Sequence, residues 1–292
     1  MKKIIVEVGS TVTKIDEYDG VEIRKLKTLT IQFKKNYKKN NCLDENDVSR
    51  LISEVRNLNK DNESDVYVCG TSVFRNLEGD EKQNFLSRFK KETGCEFNII
   101  DQEKENKLTV YGTTRFVKDK VTVFIGGGGS TEIATYDKEI KEMVNSKIGV
   151  IDVMNEFPDL ADDIAKTDIN TVMDFIKQRL NLPKEKSDIL ILSGGGHEFF
   201  ARNSGIKYEE NTLYEDKASP IMMDIETRKK ESIRYYKEIS LDEIRNRVDD
   251  PDWWYATRAM CAFVLVVAEE IGAKYTVPTD IAMVYGIIND FK

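Results

Sequence analysis

A chain of 292 residues, 40% hydrophobic and 33% charged, can bury two cores under a solvated surface, which excludes intrinsic disorder. A net charge of −8 excludes a sequence-independent nucleic-acid binder, because such binding needs a broad basic face. An anionic substrate stays compatible with that charge if local donors and a bridging cation gather around it.

No apolar run reaches the roughly 18 residues of a membrane span. The opening segment turns acidic at Glu7, too early for the apolar core of a signal peptide. Cys42, Cys69, Cys95 and Cys261 show neither a C-x-x-C nor a metal-ligand spacing, so they read as buried thiols of a cytoplasmic protein. The single histidine, His197, follows a glycine turn and reads as a helix-start residue; catalysis by a histidine cluster is excluded.

In chain order, Ile4–Val6 reads as a strand, Gly9-Ser10 as a tight turn, and Thr11–Tyr18 as the returning strand. Val21–Phe33 is a third strand candidate, and the basic Lys34–Asn41 run reads as a loop, with an extended polyanion track as its functional alternative. Val48, Leu51, Ile52, Val55 and Leu58 mark one helix face. A strand at Asp65–Gly70, a helix near Glu81–Thr93, a strand at Phe97–Ile100 and a helix at Glu103–Phe116 follow. Val121–Ile125 then enters Gly126-Gly127-Gly128-Gly129-Ser130, and Thr131–Tyr136 leaves it extended. A helix near Asn170–Leu180, a strand at Asp188–Leu192, the turn Ser193-Gly194-Gly195-Gly196, a long apolar helix over Asp252–Ile271 and a last helix beginning near Pro278 complete the pass. Trp253-Trp254 read as packing for the long helix or as a contact in a homodimer.

The alternation of strands and helices indicates an α/β protein. Gly9-Ser10-Thr11, with Tyr18-Asp19 downstream, is echoed by Gly129-Ser130-Thr131 with Tyr136-Asp137 downstream. That echo predicts two similar domains, 1–119 and 120–292, each offering a glycine hairpin to a shared cleft.

Chemistry concentrates at those turns. Successive glycine N–H groups form an anion-binding concavity, and Ser130 and Thr131 add hydroxyls. Glu132 beside them suits a cation or a water. Gly9, Ser10 and Thr11 repeat the logic more weakly, with Lys14 available to a phosphoryl oxygen and Glu7 to Mg²⁺. Gly194–Gly196 suits an anion or nucleotide at a helix start, or a plain structural turn, and fits neither the Walker A nor the dinucleotide pattern. Arg75, at the end of Gly70-Thr71-Ser72-Val73-Phe74-Arg75, could clamp a phosphate through its fork.

These pieces resemble, in order, the exopolyphosphatase/guanosine pentaphosphatase (Ppx/GppA) family of the acetate kinase/Hsp70/actin superfamily. Gly127-Gly128-Gly129-Ser130-Thr131-Glu132 is similar to its most diagnostic motif, and Gly70–Arg75 to its Ala-Thr-x-x-x-Arg segment. Ile99 to Leu108 resembles the helix that carries the family's catalytic glutamate. Gly149, Arg258, Thr279-Asp280 and Gly286 fall at further family positions, so the likeness runs from about residue 3 to 288. It implies a duplicated actin-like, ribonuclease H-like fold with an interdomain cleft. It also implies a Mg²⁺-assisted phosphohydrolase acting on polyphosphate or guanosine pentaphosphate. Glu105 would be the general base and Glu132 would support the water or Mg²⁺ together with Glu7. Gly9, Ser10, Thr11, Lys14, Arg75, Gly127, Gly128, Gly129, Ser130 and Thr131 would hold phosphoryl oxygens.

Departures accompany the matches. Ile125 stands where the family motif opens with aspartate, Glu7 replaces an aspartate, and Thr11-Val12 replaces Asn-Ser. Asp101, Gln102 and Lys104 replace serine, glycine and glutamate. Two further readings therefore stay open: a catalytically weak phosphate- or nucleotide-binding regulator, which Ile125 favours, and a kinase or activator ATPase of the same superfamily.

Overall fold

The computed structural model describes residues 2–10, 12–40, 42–60, 64–194, 196–247, 251–281 and 283–290. The chain forms two compact units, one of residues 1–108 with 283–292, the other of residues 109–282.

The first unit begins with strands β1 (Lys2–Val8), β2 (Val12–Tyr18) and β3 (Ile23–Thr30), helices α1 (Phe33–Asn40) and α2 (Glu45–Leu58), and strand β4 (Ser64–Gly70). A 3-10 turn (Ser72–Asn76), helix α3 (Gly79–Thr93), strand β5 (Phe97–Ile99) and helix α4 (Gln102–Thr113) follow, α4 continuing across the boundary. The sheet runs β3-β2-β1-β4-β5, with the β1-β2 and β2-β3 pairs antiparallel and the β1-β4 and β4-β5 pairs parallel. The period-two alternation of a strand sends Ile4, Val6 and Val8 into one core and Ile5 into the other. The first core takes Val48, Leu51, Ile52 and Val55, the helix face legible in the sequence. Asp44 caps α2, accepting from the N–H groups of Asn46 and Asp47.

The segment Lys34–Asn41, expected as a loop, is helical over Phe33–Asn40. Phe33 is buried and Tyr37, four residues on, packs against the same core, so two aromatics one turn apart override the lysines between them. Asn41 and the side chains of Lys35, Lys38 and Lys39 lie outside the described residues.

The second unit contains β6 (Val121–Gly126), β7 (Thr131–Asp137), β8 (Glu139–Ser146), α5 (Val150–Glu156), α6 (Ile169–Lys177), β9 (Ile189–Ser193), α7 (His197–Asn203), β10 (Glu209–Glu210) and β11 (Ile221–Asp224). It continues with α8 (Ile225–Lys237), α9 (Leu241–Arg245), α10 (Thr257–Ile271) and β12 (Tyr275–Thr279). Its sheet runs β10-β11-β12-β9-β6-β7-β8. The portion β8-β7-β6-β9-β12 reproduces the order and the strand directions of β3-β2-β1-β4-β5, with antiparallel hairpins on one side and parallel partners on the other. The duplication is thus a property of both sheets and extends well beyond two short hairpins.

The last helix, α11 (Met283–Asp290), returns to the first unit. Met283, Val284, Ile287 and Ile288 join Ile5, Cys69, Ile100 and Leu108 in one core, so these residues belong to the first unit rather than to the 120–292 domain expected from the sequence. A side chain at Gly286 would stand 1.9 Å from the Leu108 carbonyl oxygen; only glycine permits that approach of α11 to α4.

Two further expectations are corrected. The apolar stretch read as one helix over Asp252–Ile271 is a 3-10 turn (Pro251–Ala256) followed by α10. There Trp254 stacks on Phe199 and Phe200, and the Trp253 side chain lies outside the described residues. Pro278 sits inside β12 rather than at a helix start. It is tolerated because, among the described residues, β11 pairs with Tyr275 and Thr276 and no strand on that side calls for the missing N–H.

Candidate functional site

In the first unit the carboxyl ends of β1 and β4 bring three sequence segments together. The turn after β1 closes with the Gly9 N–H donating to the Val12 carbonyl at 2.9 Å, and Thr71 N–H donates to the Val8 carbonyl at 3.0 Å. The Ser10 hydroxyl hydrogen-bonds that of Ser72, and Lys34 N–H donates to the Ser10 carbonyl at 2.9 Å. Ser72 holds a left-handed backbone with φ of +51°, an unusual conformation outside glycine and one that marks a constrained turn. Ser72 is a member of this site that its sequence alone does not single out. Thr11 lies outside the described residues.

Arg75, from the 3-10 turn, reaches the start of α4. Its Nη1 donates to Glu105 Oε2 at 2.5 Å and to the Ile100 carbonyl at 3.3 Å, and its Nη2 donates to Gln102 Oε1 at 2.5 Å. The structure thus joins the expected base directly to the expected phosphate clamp. Burial pushes the Glu105 carboxyl above the ordinary glutamate value; Arg75 pulls it back only in part, and Glu7 adds to the rise.

Glu7 and Lys14 face each other across β1 and β2, 3.8 Å apart. Glu7 Oε2 is buried with no hydrogen-bond partner. Among the described residues no group of three or more His, Cys, Asp or Glu side chains is assembled to hold a metal. Mg²⁺ takes one or two carboxylates and fills its octahedron with water and phosphate oxygens, so the orphaned oxygen of Glu7 fits such an ion.

Asp16, unremarked in the sequence, pairs with Ile5 on the same sheet face as Glu7 and Lys14, beneath α4 and α11. It is 4% exposed, and burial, reinforced by the Glu7 charge, raises its pKa to about 6. A raised folded-state value means that stability held below about pH 4 is lost as the pH rises through about 6. Asp16→Asn is therefore expected to stabilise the protein at pH 7.5 by up to about 3 kcal/mol, with the gain vanishing near pH 4. Denaturant melts at both pH values check this, and an equal difference at the two would contradict it.

In the second unit the loop between β6 and β7 is held by its own backbone. Gly127 N–H donates to the Ser130 carbonyl at 2.9 Å, while the Gly127 and Gly128 carbonyls accept from Val150 (3.1 Å) and Ile151 (2.9 Å) at the start of α5. Among the described residues, the N–H groups of Gly128, Gly129 and Ser130 donate to no backbone carbonyl, which leaves them available to an anion. Thr131 departs from the expected role: it is buried, and its hydroxyl donates to the Ile148 carbonyl at 2.8 Å, tying the loop to the segment before Gly149. Glu132 is 5% exposed in β7, opposite Ile125, whose side chain packs against the cluster of Val110, Val121 and Val123.

Other candidates prove structural. The turn before α7 spends Gly194 N–H on the Thr279 carbonyl, and Glu198 N–H donates to Asp280 at 3.3 Å, so this helix start is already filled; Gly195 lies outside the described residues. His197 begins α7 as expected, and burial lowers its pKa to about 3, keeping the ring neutral. Arg258 is fully buried and donates to the carbonyls of Leu160, Asp162, Asp163 and Ile239, a brace between loops rather than an anion site. Cys69, Cys95 and Cys261 are buried as expected, whereas Cys42 is exposed; all four are free thiols. Among the described residues no helix is long and apolar enough to cross a membrane.

Residues 12–239 match the sequence model of the Ppx/GppA phosphatase family. The chain belongs to that family. Its fold is similar to the Aquifex aeolicus Ppx/GppA enzyme, with a TM-score of 0.76 and 18% identity over 99% of both chains. An exopolyphosphatase from Cytophaga hutchinsonii matches with a TM-score of 0.73 and 16% identity, over 100% of this chain and 97% of that one. At such identities the likeness establishes the fold, the duplicated actin-like α/β architecture that the repeated strand order already indicates. No curated protein matches the chain by sequence.

Proposed function

We propose that this Ppx/GppA family member hydrolyses terminal phosphoanhydride bonds, with polyphosphate or guanosine pentaphosphate as substrate class. The observation that carries the reading is the contact of Arg75 with Glu105, a cationic fork joined to a desolvated carboxylate beside the Gly9-Ser10 turn. In the first unit Arg75, Lys14 and the Ser10 turn bind phosphoryl oxygens; in the second unit, by itself, the N–H groups of Gly128, Gly129 and Ser130 are donors suited to an anion. Glu105 accepts a proton from the attacking water, for which a raised pKa is an advantage because it brings the base nearer the working pH. Glu7 would hold Mg²⁺, which when bound would offset charge on the phosphoryl oxygens, and Glu132 is the corresponding carboxylate of the second unit.

Phosphate release from tripolyphosphate, long-chain polyphosphate and guanosine pentaphosphate, each with and without Mg²⁺, tests this reading. Release that requires Mg²⁺ is expected for at least one of them; silence on all three would end the hydrolase assignment. The weak-regulator reading is favoured by Ile125, an aliphatic side chain committed to the apolar cluster where the family carries aspartate. Saturable binding of tripolyphosphate without any phosphate release would decide for it.

A further inference from the structure

Both terminal nitrogens of Arg75, the pair that would fork onto a phosphoryl group, are already engaged by side chains of α4. Glu105 takes Nη1 and Gln102 takes Nη2, each at 2.5 Å. Gln102 is itself fixed, because its Nε2 donates to Asn106 Oδ1 at 3.0 Å one turn further along the helix. Its amide therefore presents oxygen to Arg75 and nitrogen to Asn106, and reversing it would break both contacts. In the related motif this position is glycine, which has no side chain to reach Nη2. Gln102 opens α4 with an exposed side chain and no part in any core, so its placement on Arg75 is not a by-product of packing.

We propose that Gln102 is a positioning residue that competes with the incoming phosphoryl group for Nη2 of Arg75 and thereby sets the affinity of the site. The proposal rests on Arg75 being the phosphate clamp. Nη1 donates to both Glu105 and the Ile100 carbonyl, and of the two hydrogens on Nη2 one is held by Gln102, so a phosphoryl group that approaches along that N–H must displace the Gln102 amide. Every phosphate ligand bears that cost, the orthophosphate product included, so the chain trades tight binding for easier product release.

The test is calorimetric titration of the full chain, as wild type, Gln102→Ala, Gln102→Gly and Gln102→Glu, with orthophosphate and with tripolyphosphate. Removing one competing hydrogen bond is expected to tighten binding of both anions about fivefold in the alanine and glycine variants. KM for tripolyphosphate should fall by the same factor while kcat changes less than twofold. Gln102→Glu should bind more weakly than wild type, since a carboxylate there holds the guanidinium and repels phosphate. Equal dissociation constants for wild type and Gln102→Ala overturn the proposal, and so does weaker binding by Gln102→Ala, the result of a purely supporting role. Tighter binding by the alanine variant without hydrolysis by any form upholds the role of Gln102 while the hydrolase reading fails. Absence of binding by every form removes Arg75 as the clamp and the proposal with it.

Discussion

Replacing Glu105 with glutamine is expected to lower kcat for phosphate release by about a thousandfold, the middle of the range that a positioned general base contributes. The substitution preserves the length and shape of the side chain, and the amide oxygen still accepts from Arg75, so the fold and the clamp should persist. What disappears is the capacity to take a proton from water. KM should stay near the wild-type value or fall, because a negative charge next to the phosphoryl oxygens has been removed. The pH profile offers a second check on the same residue. Burial holds the Glu105 carboxyl above the ordinary glutamate range despite the neighbouring Arg75, so turnover should decline on acidification at a higher pH than a solvated glutamate would dictate. Steady-state kinetics from pH 4 to 9 would show this limb, and the limb should be absent from the residual activity of Glu105→Gln. An unchanged kcat in the variant would remove Glu105 from the chemistry.

Substituting alanine for Gly149 is expected to destabilise the second unit by about 1–3 kcal/mol and to cut turnover about a hundredfold. A Cβ there would stand 2.4 Å from the Gly128 carbonyl carbon and oxygen and 2.5 Å from the Gly127 oxygen. All three are backbone atoms, so no rotamer change relieves the clash. The same two peptides are tied by their carbonyls to Val150 and Ile151, and Asp152 accepts from Gly149 N–H at 2.8 Å, so α5 and the loop must shift together. A displacement of about one ångström would misplace the Gly128, Gly129 and Ser130 N–H groups proposed as phosphate donors. Gly129→Ala is the contrast for stability: an added Cβ meets nothing within 4 Å, and the expected loss is below about 1 kcal/mol. Thermal melts of both variants with kcat for Gly149→Ala decide the matter, and a wild-type Tm and turnover for Gly149→Ala would contradict it.

Hairpins and amphipathic helices were legible because their signals are local. The Gly9-Ser10 and Gly127–Ser130 turns lie between alternating apolar residues, and Leu51, Ile52 and Val55 repeat at helical spacing. The lysine-rich α1 escaped notice because composition masked the pair Phe33 and Tyr37, whose shared core exists only after folding. Arg258 was legible as a family position, yet its four carbonyl partners come from residues 160–163 and 239, far away in sequence.

By itself the sequence determined the α/β class, the two glycine turns, their duplication and the residue types suited to a phosphoryl group, since each depends on short-range pattern and side-chain chemistry. Tertiary structure alone decided that α11 packs into the first unit, that Thr131 faces inward, that Asp16 is buried beside Glu7, and that Gln102 and Glu105 share Arg75. Those outcomes follow from which faces meet across long stretches of chain, and burial and pairing between distant residues leave no periodic trace to read in advance.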